Sequence, residues 1–420
     1  MNTLINTIII GAGQGGLSVS YYLKQQGHQH LILEKEDQIA ESWRNRWDSF
    51  TLNTPNWMVH LPGMKFQGDE LEGFMDRKEI ITFFEKYVDQ EQFPIQYNTK
   101  VISVDPGGIG YYVHTDQGLY ETANVVIATG FYQIPKIPEF SRTISPQVVQ
   151  IHSSEYKNPE SLPVGAVLVV GSSQSGAQIA EELRQVGREV FLSVGNSGRV
   201  PRVYRGKDVT RWEAEMGYYE RTVDQLESPQ DRYAPSAHTT GKNGGHTINL
   251  HQFSRDGIHL LGRINNVNKN TLILSADLHE NLAKADQFEE NFVHEVDQYI
   301  ENHNLDVPEE DLPHLTDGFD VFETTELNIN DAGIRTIIWA TGYRCDFSWV
   351  HLPICDSHGY PIQKRGVTPF NGLYFIGLPF LHTGISGVIA GVGDDAKYIA
   401  STILQSQKVK VHMHDKQLVL

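Results

Sequence analysis

Two stretches of this 420-residue chain could do chemistry through residue type and spacing alone. Gly11-Ala12-Gly13-Gln14-Gly15-Gly16 follows the apolar run Thr7-Ile8-Ile9-Ile10, and Gly171-Ser172-Ser173-Gln174-Ser175-Gly176 follows Val167-Leu168-Val169-Val170. Each reads as a buried strand, a glycine-rich turn and the start of a helix. In such a unit the first glycine permits a tight turn, the second lets a pyrophosphate approach the backbone, and the last lets the helix pack closely on the strand. The helix N-terminus then stabilises the phosphate charge. The chemistry expected is the binding of two dinucleotides.

The ends of the two units differ. Glu34, followed by Lys35, closes the second strand of the first unit, His30-Leu31-Ile32-Leu33, where a carboxylate can accept hydrogen bonds from ribose hydroxyls. That favours an adenosine without a 2'-phosphate and predicts FAD. The same number of residues past Gly171 stands Val194, which offers no such acceptor. Arg199 and Arg202 lie just beyond it, in SGRVPRVYRG. Arginine suits a 2'-phosphate through bidentate, charge-assisted hydrogen bonds, so the second unit predicts NADPH; a solvated loop face would use the same residues. A flavin and a nicotinamide in one chain imply hydride transfer between them.

The elements that must hold these turns are two βαβ units, with helices expected over 17–26 and 177–185. The fold class expected is therefore α/β, with two Rossmann-like dinucleotide-binding domains. A net charge of -18 disfavours nucleic acid and anionic membrane surfaces as partners. The apolar runs fall short of a membrane span, and the chain start lacks a signal-peptide pattern, so a cytoplasmic protein is expected. Cys345 and Cys355 form no closely spaced redox pair, which fits a reducing compartment and disfavours a dithiol disulfide reductase. The 18 histidines show no zinc-ligand spacing, and no metal is expected.

Taken in order, GAGQGG, ESWRNRWDSFTLNTP from Glu41, VVIATG from Val125, IHSSEYKNP from Ile151, GSSQSG, IIWATGYR from Ile337 and NGLYFIG from Asn371 resemble the flavin-containing monooxygenases. Within them the chain is similar to the short bacterial forms and the plant indole-pyruvate monooxygenases. The resemblance implies an NADPH domain inserted in the FAD domain: 1–157 for the first part of the FAD domain, 158–340 for the NADPH domain and 341–420 for the return. It implies cofactor contacts at Trp43, Arg44, Gly130, Thr341, Gly342, Gly377 and Ser386. The run from Gly387 to Leu404 would be a helix pointing its N-terminus at the flavin.

The same resemblance places Asn53 beside the flavin, where an amide can donate to a developing oxygen centre; an Asx turn before Pro55 is the other reading. His152 and Tyr156 match the H-x-x-x-Y end of the family fingerprint, but Pro146 and Val148 stand where Phe and Gly are expected. They could serve catalysis or, for the histidine, a structural linker. The implied reaction is reduction of FAD by NADPH, addition of O2 as a C4a-hydroperoxide, and transfer of one oxygen to a soft nitrogen or sulfur nucleophile or a carbonyl. Partners are then a small organic substrate and O2, with a second copy of the chain left open. The rivals are an NADPH-dependent flavin reductase or oxidase releasing peroxide, and a non-catalytic flavin-binding redox sensor. The stretch 198–258 shows little periodicity and reads as a functional cover or a disordered loop.

Overall fold

The computed structural model describes residues 3–233 and 237–417, with side chains up to residue 406. The first unit opens with β1 (Thr3–Ile10), α1 (Gln14–Gln25) and β2 (His30–Leu33), then the short α2 (Glu41–Arg44) and α3 (Arg77–Glu91). It continues through β3 (Ile95–Gln96), β4 (Val101–Gly107), β5 (Gly110–Thr115) and β6 (Gly118–Ile127). These strands run in the order β3-β2-β1-β6-β5-β4, parallel from β3 to β6 and antiparallel from β6 to β4. Ile8 and Ile9 are fully buried, as a strand covered on both faces requires.

The second unit contains β7 (Val149–His152), β8 (Ala166–Val170), α4 (Gln174–Gln185), β9 (Val190–Ser193), the short α5 (Val209–Glu215) and α6 (Leu250–Arg255), β10 (His259–Leu261), α7 (Leu278–His303) and β11 (Ile334–Trp339). Its sheet is parallel, in the order β7-β11-β8-β9-β10. The chain then returns to the first sheet, where β12 (Leu373–Phe375) pairs with β6, and α8 (Val392–Gln417) packs on α1. The mixed α/β fold with two Rossmann-like units is the expected one.

Three boundaries depart from expectation. β7 belongs to the second sheet, although the division at 157/158 counts it with the first, because its parallel register with β11 buries His152 opposite Trp339. α1 and α4 begin three residues earlier than their apolar runs suggest, since Gly13 and Ser173 cap them in extended conformation and the glycine turns already supply the first helical turn. α8 starts at Val392 rather than Gly387, after a loop that crosses the turn of the first unit.

Candidate functional site

The two glycine turns superpose in their logic. Ile10 pairs with Leu33 and Val170 with Ser193, and the N–H of Gly11 donates to Leu33 O at 2.9 Å as that of Gly171 does to Ser193 O at 3.1 Å. Val194 is therefore the structural counterpart of Glu34. A Cβ on Gly11 would meet Ala128 O at 2.7 Å and one on Gly171 would meet Ala340 O at 2.6 Å, so these turns lie against the strands β6 and β11. A Cβ on Gly16 or Gly176 would fall 2.0 or 1.8 Å from the carbonyl of Gly11 or Gly171, closer than any side chain permits. A Cβ on Gly13 would meet nothing within 4 Å. The chain itself leaves that space open, as a cradle for a phosphate group should.

Ser173 has φ -72 and ψ -173 where Gly13 has φ -79 and ψ -175, a conformation any residue adopts, so the replacement costs no strain. Neither cap side chain bonds the helix start, which leaves the first-turn N–H groups of α1 and α4 to a ligand. Glu34 accepts from Ala12 N–H at 2.8 Å and Glu36 N–H at 3.1 Å, which fixes the carboxylate and leaves lone pairs for ribose hydroxyls. Lys35 pairs with Glu36 at 3.0 Å on the surface. The residues of the first turn fit a flavin dinucleotide, and those of the second fit a dinucleotide pyrophosphate.

The first turn is also met by the returning chain. Gly15 lies against Ile376 and Gly377, its Cβ position 3.1 Å from the Ile376 side chain, and Gln14 Nε2 donates to Gly387 O at 2.6 Å. Gly130 and Gly342 take positive φ, 71 and 78, just after β6 and β11, where the chain passes between the units. Thr341 donates to Lys136 O across that crossing. Ser386 lies inside the chain. It is fully buried and accepts the N–H groups of His382 at 3.0 Å and Thr383 at 2.9 Å, so it pins the loop before α8. Trp43 packs on Phe50 and Phe84, and Arg44 donates to Ile39 O at 3.0 Å and pairs with Glu85.

The arginines are a correction. Arg199 is buried and its guanidinium pairs with Asp286 at 2.7 Å and Glu289 at 2.6 Å, both on α7. Arg202 is 2% exposed, donates to Asp208 at 2.6 Å and to the carbonyl of Asn53 at 2.7 Å, and lies 4.4 Å over the Phe74 ring. Both guanidinium groups are paired within the chain, which takes up the hydrogen bonds a 2'-phosphate would need.

His152 and Tyr156 are corrected in the same way. His152 is 1% exposed; its Nε2–H donates to Gly342 O at 3.1 Å, and Nδ1 accepts from Ser154 N–H at 3.2 Å. Burial holds its pKa below the ordinary value, so a neutral ring ties β7 to the crossing at Gly342. Tyr156 is fully buried, donates to Glu182 at 2.8 Å and has its pKa pushed up by burial and by that carboxylate. Both side chains are held by hydrogen bonds inside the protein, His152 to Gly342 and Tyr156 to Glu182.

Asn53 is held instead by its neighbours. Its Oδ1 accepts from Gln178 Nε2 at 2.8 Å, and an Asx turn is closed to it because the residue two on, Pro55, has no N–H to give. Gln174 holds the 237–239 segment, donating to Ala237 O at 2.6 Å and to Thr239 Oγ1 at 3.1 Å, while Ser175 stands in the first turn of α4. Gln178 and Glu182 are the residues of α4 that reach Asn53 and Tyr156, which motif reading passes over; the available signal is that Gln174, Gln178 and Glu182 are spaced by four on one helix face. The described residues of the 198–258 stretch pack on the first unit: Arg202 reaches Asn53 and Phe74, and Tyr219 reaches Met58. No helix among the described residues is long and apolar enough to cross a membrane.

Residues 8–212 match the pyridine nucleotide-disulphide oxidoreductase family, a span that holds both glycine turns and neither cysteine. Over 406 residues, 96% of this chain and 99% of the relative, the sequence is 34% identical to an uncharacterized CzcO-like oxidoreductase of Geobacillus kaustophilus. A probable indole-3-pyruvate monooxygenase of Arabidopsis thaliana is 31% identical over 199 residues, 46% of this chain and 48% of that protein. A solved flavin-containing monooxygenase from Stenotrophomonas maltophilia has the same fold, with a TM-score of 0.65 at 17% identity, covering 96% of this chain and 99% of that one.

Proposed function

Because the chain belongs with the CzcO-like oxidoreductases and shares its fold with a flavin-containing monooxygenase, we propose that it binds FAD at the first glycine turn and NADPH at the second, and passes one atom of O2 to a small organic substrate. The observation that carries this reading is the pair of matched turns, each opening a helix whose start no side chain caps, with room for a phosphate at Gly13 in the first and Gln178 of the second helix bonded to Asn53. When bound, the nicotinamide supplies a hydride and the flavin the oxygen chemistry.

The chain's own residues bind, orient and exclude water. The turn 11–16 and the start of α1 hold the flavin pyrophosphate, and Glu34 accepts from the ribose. The turn 171–176 and the start of α4 hold the nicotinamide dinucleotide, whose 2'-phosphate is met by residues other than Arg199 and Arg202. Asn53 offers a donor amide that carries no titrating proton. Arg202 holds its backbone carbonyl and stacks on Phe74, and Tyr219 reaches Met58 beside it in the chain, contacts that would help to shield a bound flavin from water. The nicotinamide unit then spans β7 to β11, inserted between two parts of the flavin unit. The substrate is a soft nitrogen or sulfur nucleophile or a carbonyl compound.

The test is to supply NADPH and 18O2 to the yellow, FAD-loaded protein with a panel of sulfides, amines, ketones and 2-oxo acids. One labelled oxygen in a product, with peroxide per NADPH falling as that substrate is added, is the expected result. Stoichiometric peroxide with every compound makes it an oxidase, and negligible NADPH consumption makes it a sensor.

A further inference from the structure

We propose that Gln178 is a positioning residue that fixes the amide of Asn53 as a hydrogen-bond donor, so that the helix of the second nucleotide turn decides what the first unit presents to its ligand. The inference rests on the reading of Asn53 as the amide beside the flavin.

The orientation follows from what each atom can do. Gln178 Nε2 donates to two oxygens, Asn53 Oδ1 at 2.8 Å and the backbone carbonyl of Thr239 at 3.1 Å. A backbone carbonyl only accepts, so the group Gln178 turns toward it must be its NH2. The Asn53 atom that meets the same NH2 must then be the oxygen. That leaves Asn53 Nδ2 on the far side, where it makes no hydrogen bond among the described residues. Thr239 cannot drift away from this arrangement, because Gln174, one turn earlier on α4, accepts its N–H at 3.4 Å and donates to its Oγ1 at 3.1 Å.

The backbone of Asn53 is held from the same side. Arg202 donates to its carbonyl at 2.7 Å, and the guanidinium is itself fixed by Asp208 and by the Phe74 ring. Side chain and main chain of Asn53 therefore both depend on donors from the second unit, although Asn53 lies in a loop of the first. A residue with only a packing role would need neither. Gln178 stands on the helix whose N-terminus forms the second phosphate cradle, so a dinucleotide bound there and the polarity of Asn53 share one rigid element.

Replacing Gln178 by a group that accepts but cannot donate reverses the pair. In Gln178→Glu the Asn53 amide turns to give its N–H to the carboxylate and presents its oxygen outward. Gln178→Met fills a similar volume and holds nothing. We expect both variants and Asn53→Ala to keep FAD and its rate of reduction by NADPH, while peroxide released per NADPH rises at least about tenfold, as loss of a pre-positioned donor implies. The Asn53→Ala, Gln178→Glu double variant should be no worse than Asn53→Ala alone, since Gln178 acts through Asn53. In protein labelled with 15N-asparagine, the side-chain amide resonances that vanish in Asn53→Ala should shift in Gln178→Glu.

If Asn53→Ala stays coupled, the reading of Asn53 fails and this inference goes with it. If Asn53→Ala uncouples while Gln178→Glu and Gln178→Met stay coupled, or the amide resonances do not move in Gln178→Glu, the inference alone is overturned. Should Gln178→Glu lose FAD, Gln178→Met decides: coupled turnover overturns the proposal, and uncoupled turnover with FAD retained supports it.

Discussion

At the scale of single residues, Gly13 and Gly16 look alike in the motif and answer to different physics. A side chain on Gly13 meets no protein atom within 4 Å, whereas one on Gly16 lands 2.0 Å from Gly11 O. Gly13→Val should therefore fold with the melting temperature of the FAD-free native protein and come out colourless, because it fills the space of the pyrophosphate. Gly16→Ala should lower stability by about 1–3 kcal/mol or more whether or not FAD is present, as overpacking does; thermal melts with and without added FAD separate the two. His238 gives the pH dependence. It is 1% exposed, donates to Ser172 O in the second turn, and burial holds its pKa down to about 4 from 6.5. The native ring is neutral while the unfolded one gains a proton below 6.5, so its contribution is complete above that value and is lost as pH falls toward 4. Between about pH 7.5 and about pH 5 this amounts to about 2 kcal/mol, and His238→Gln, which keeps a donor, should lose less stability over that range than the native protein.

At the scale of elements, the second unit is stapled by ion pairs that run from the loop after β9 to α7. Arg199 lies between Asp286 and Glu289, whose side chains are each 14% exposed, and His251 approaches Asp286 at 3.2 Å. Arg199→Ala leaves two poorly solvated carboxylates facing each other and should cost about 3 kcal/mol, the usual penalty for breaking a buried pair. Its ratio of NADPH to NADH efficiency should stay that of the native protein. A narrowed ratio with unchanged melting temperature would return Arg199 to the nucleotide site. The helices α1 and α4 carry the other lesson at this scale: their starts lie inside the glycine turns, so the residues proposed to bind phosphate also begin the helix.

At the scale of the whole molecule, the insertion is clasped to the chain that returns after it. Val223 N–H donates to His382 O at 2.8 Å, Thr222 bridges Thr383, and Ser386 fixes the receiving loop. Val223 is the first residue of a single helical turn, a position that tolerates proline, and Thr222 before it is already extended. Val223→Pro thus removes little beyond that one hydrogen bond, at about 1 kcal/mol. Hydrogen exchange should quicken at 222–226 and 382–386 and stay unchanged in β1 and β8. Equal acceleration in the two sheets would mean that the clasp is part of the global fold.

The two βαβ units, the order of strand, turn and helix, and the contrast between Glu34 and Val194 were legible in the sequence because each is set within a few dozen consecutive residues, by side-chain period and by steric limits at glycine. The partners of the polar residues were not. Arg199 meets a glutamate 90 positions away, Asn53 a glutamine 125 away and His152 a carbonyl 190 away. An arginine near a predicted ribose site reads the same in sequence whether it faces a phosphate or a buried carboxylate. Which it meets depends on how α7 lies across the second sheet and on how the two units dock, and those arrangements come from the packing of apolar faces far apart in the chain. The sequence determined where the two glycine turns and their helices lie; the tertiary structure decided which polar groups around them are already paired.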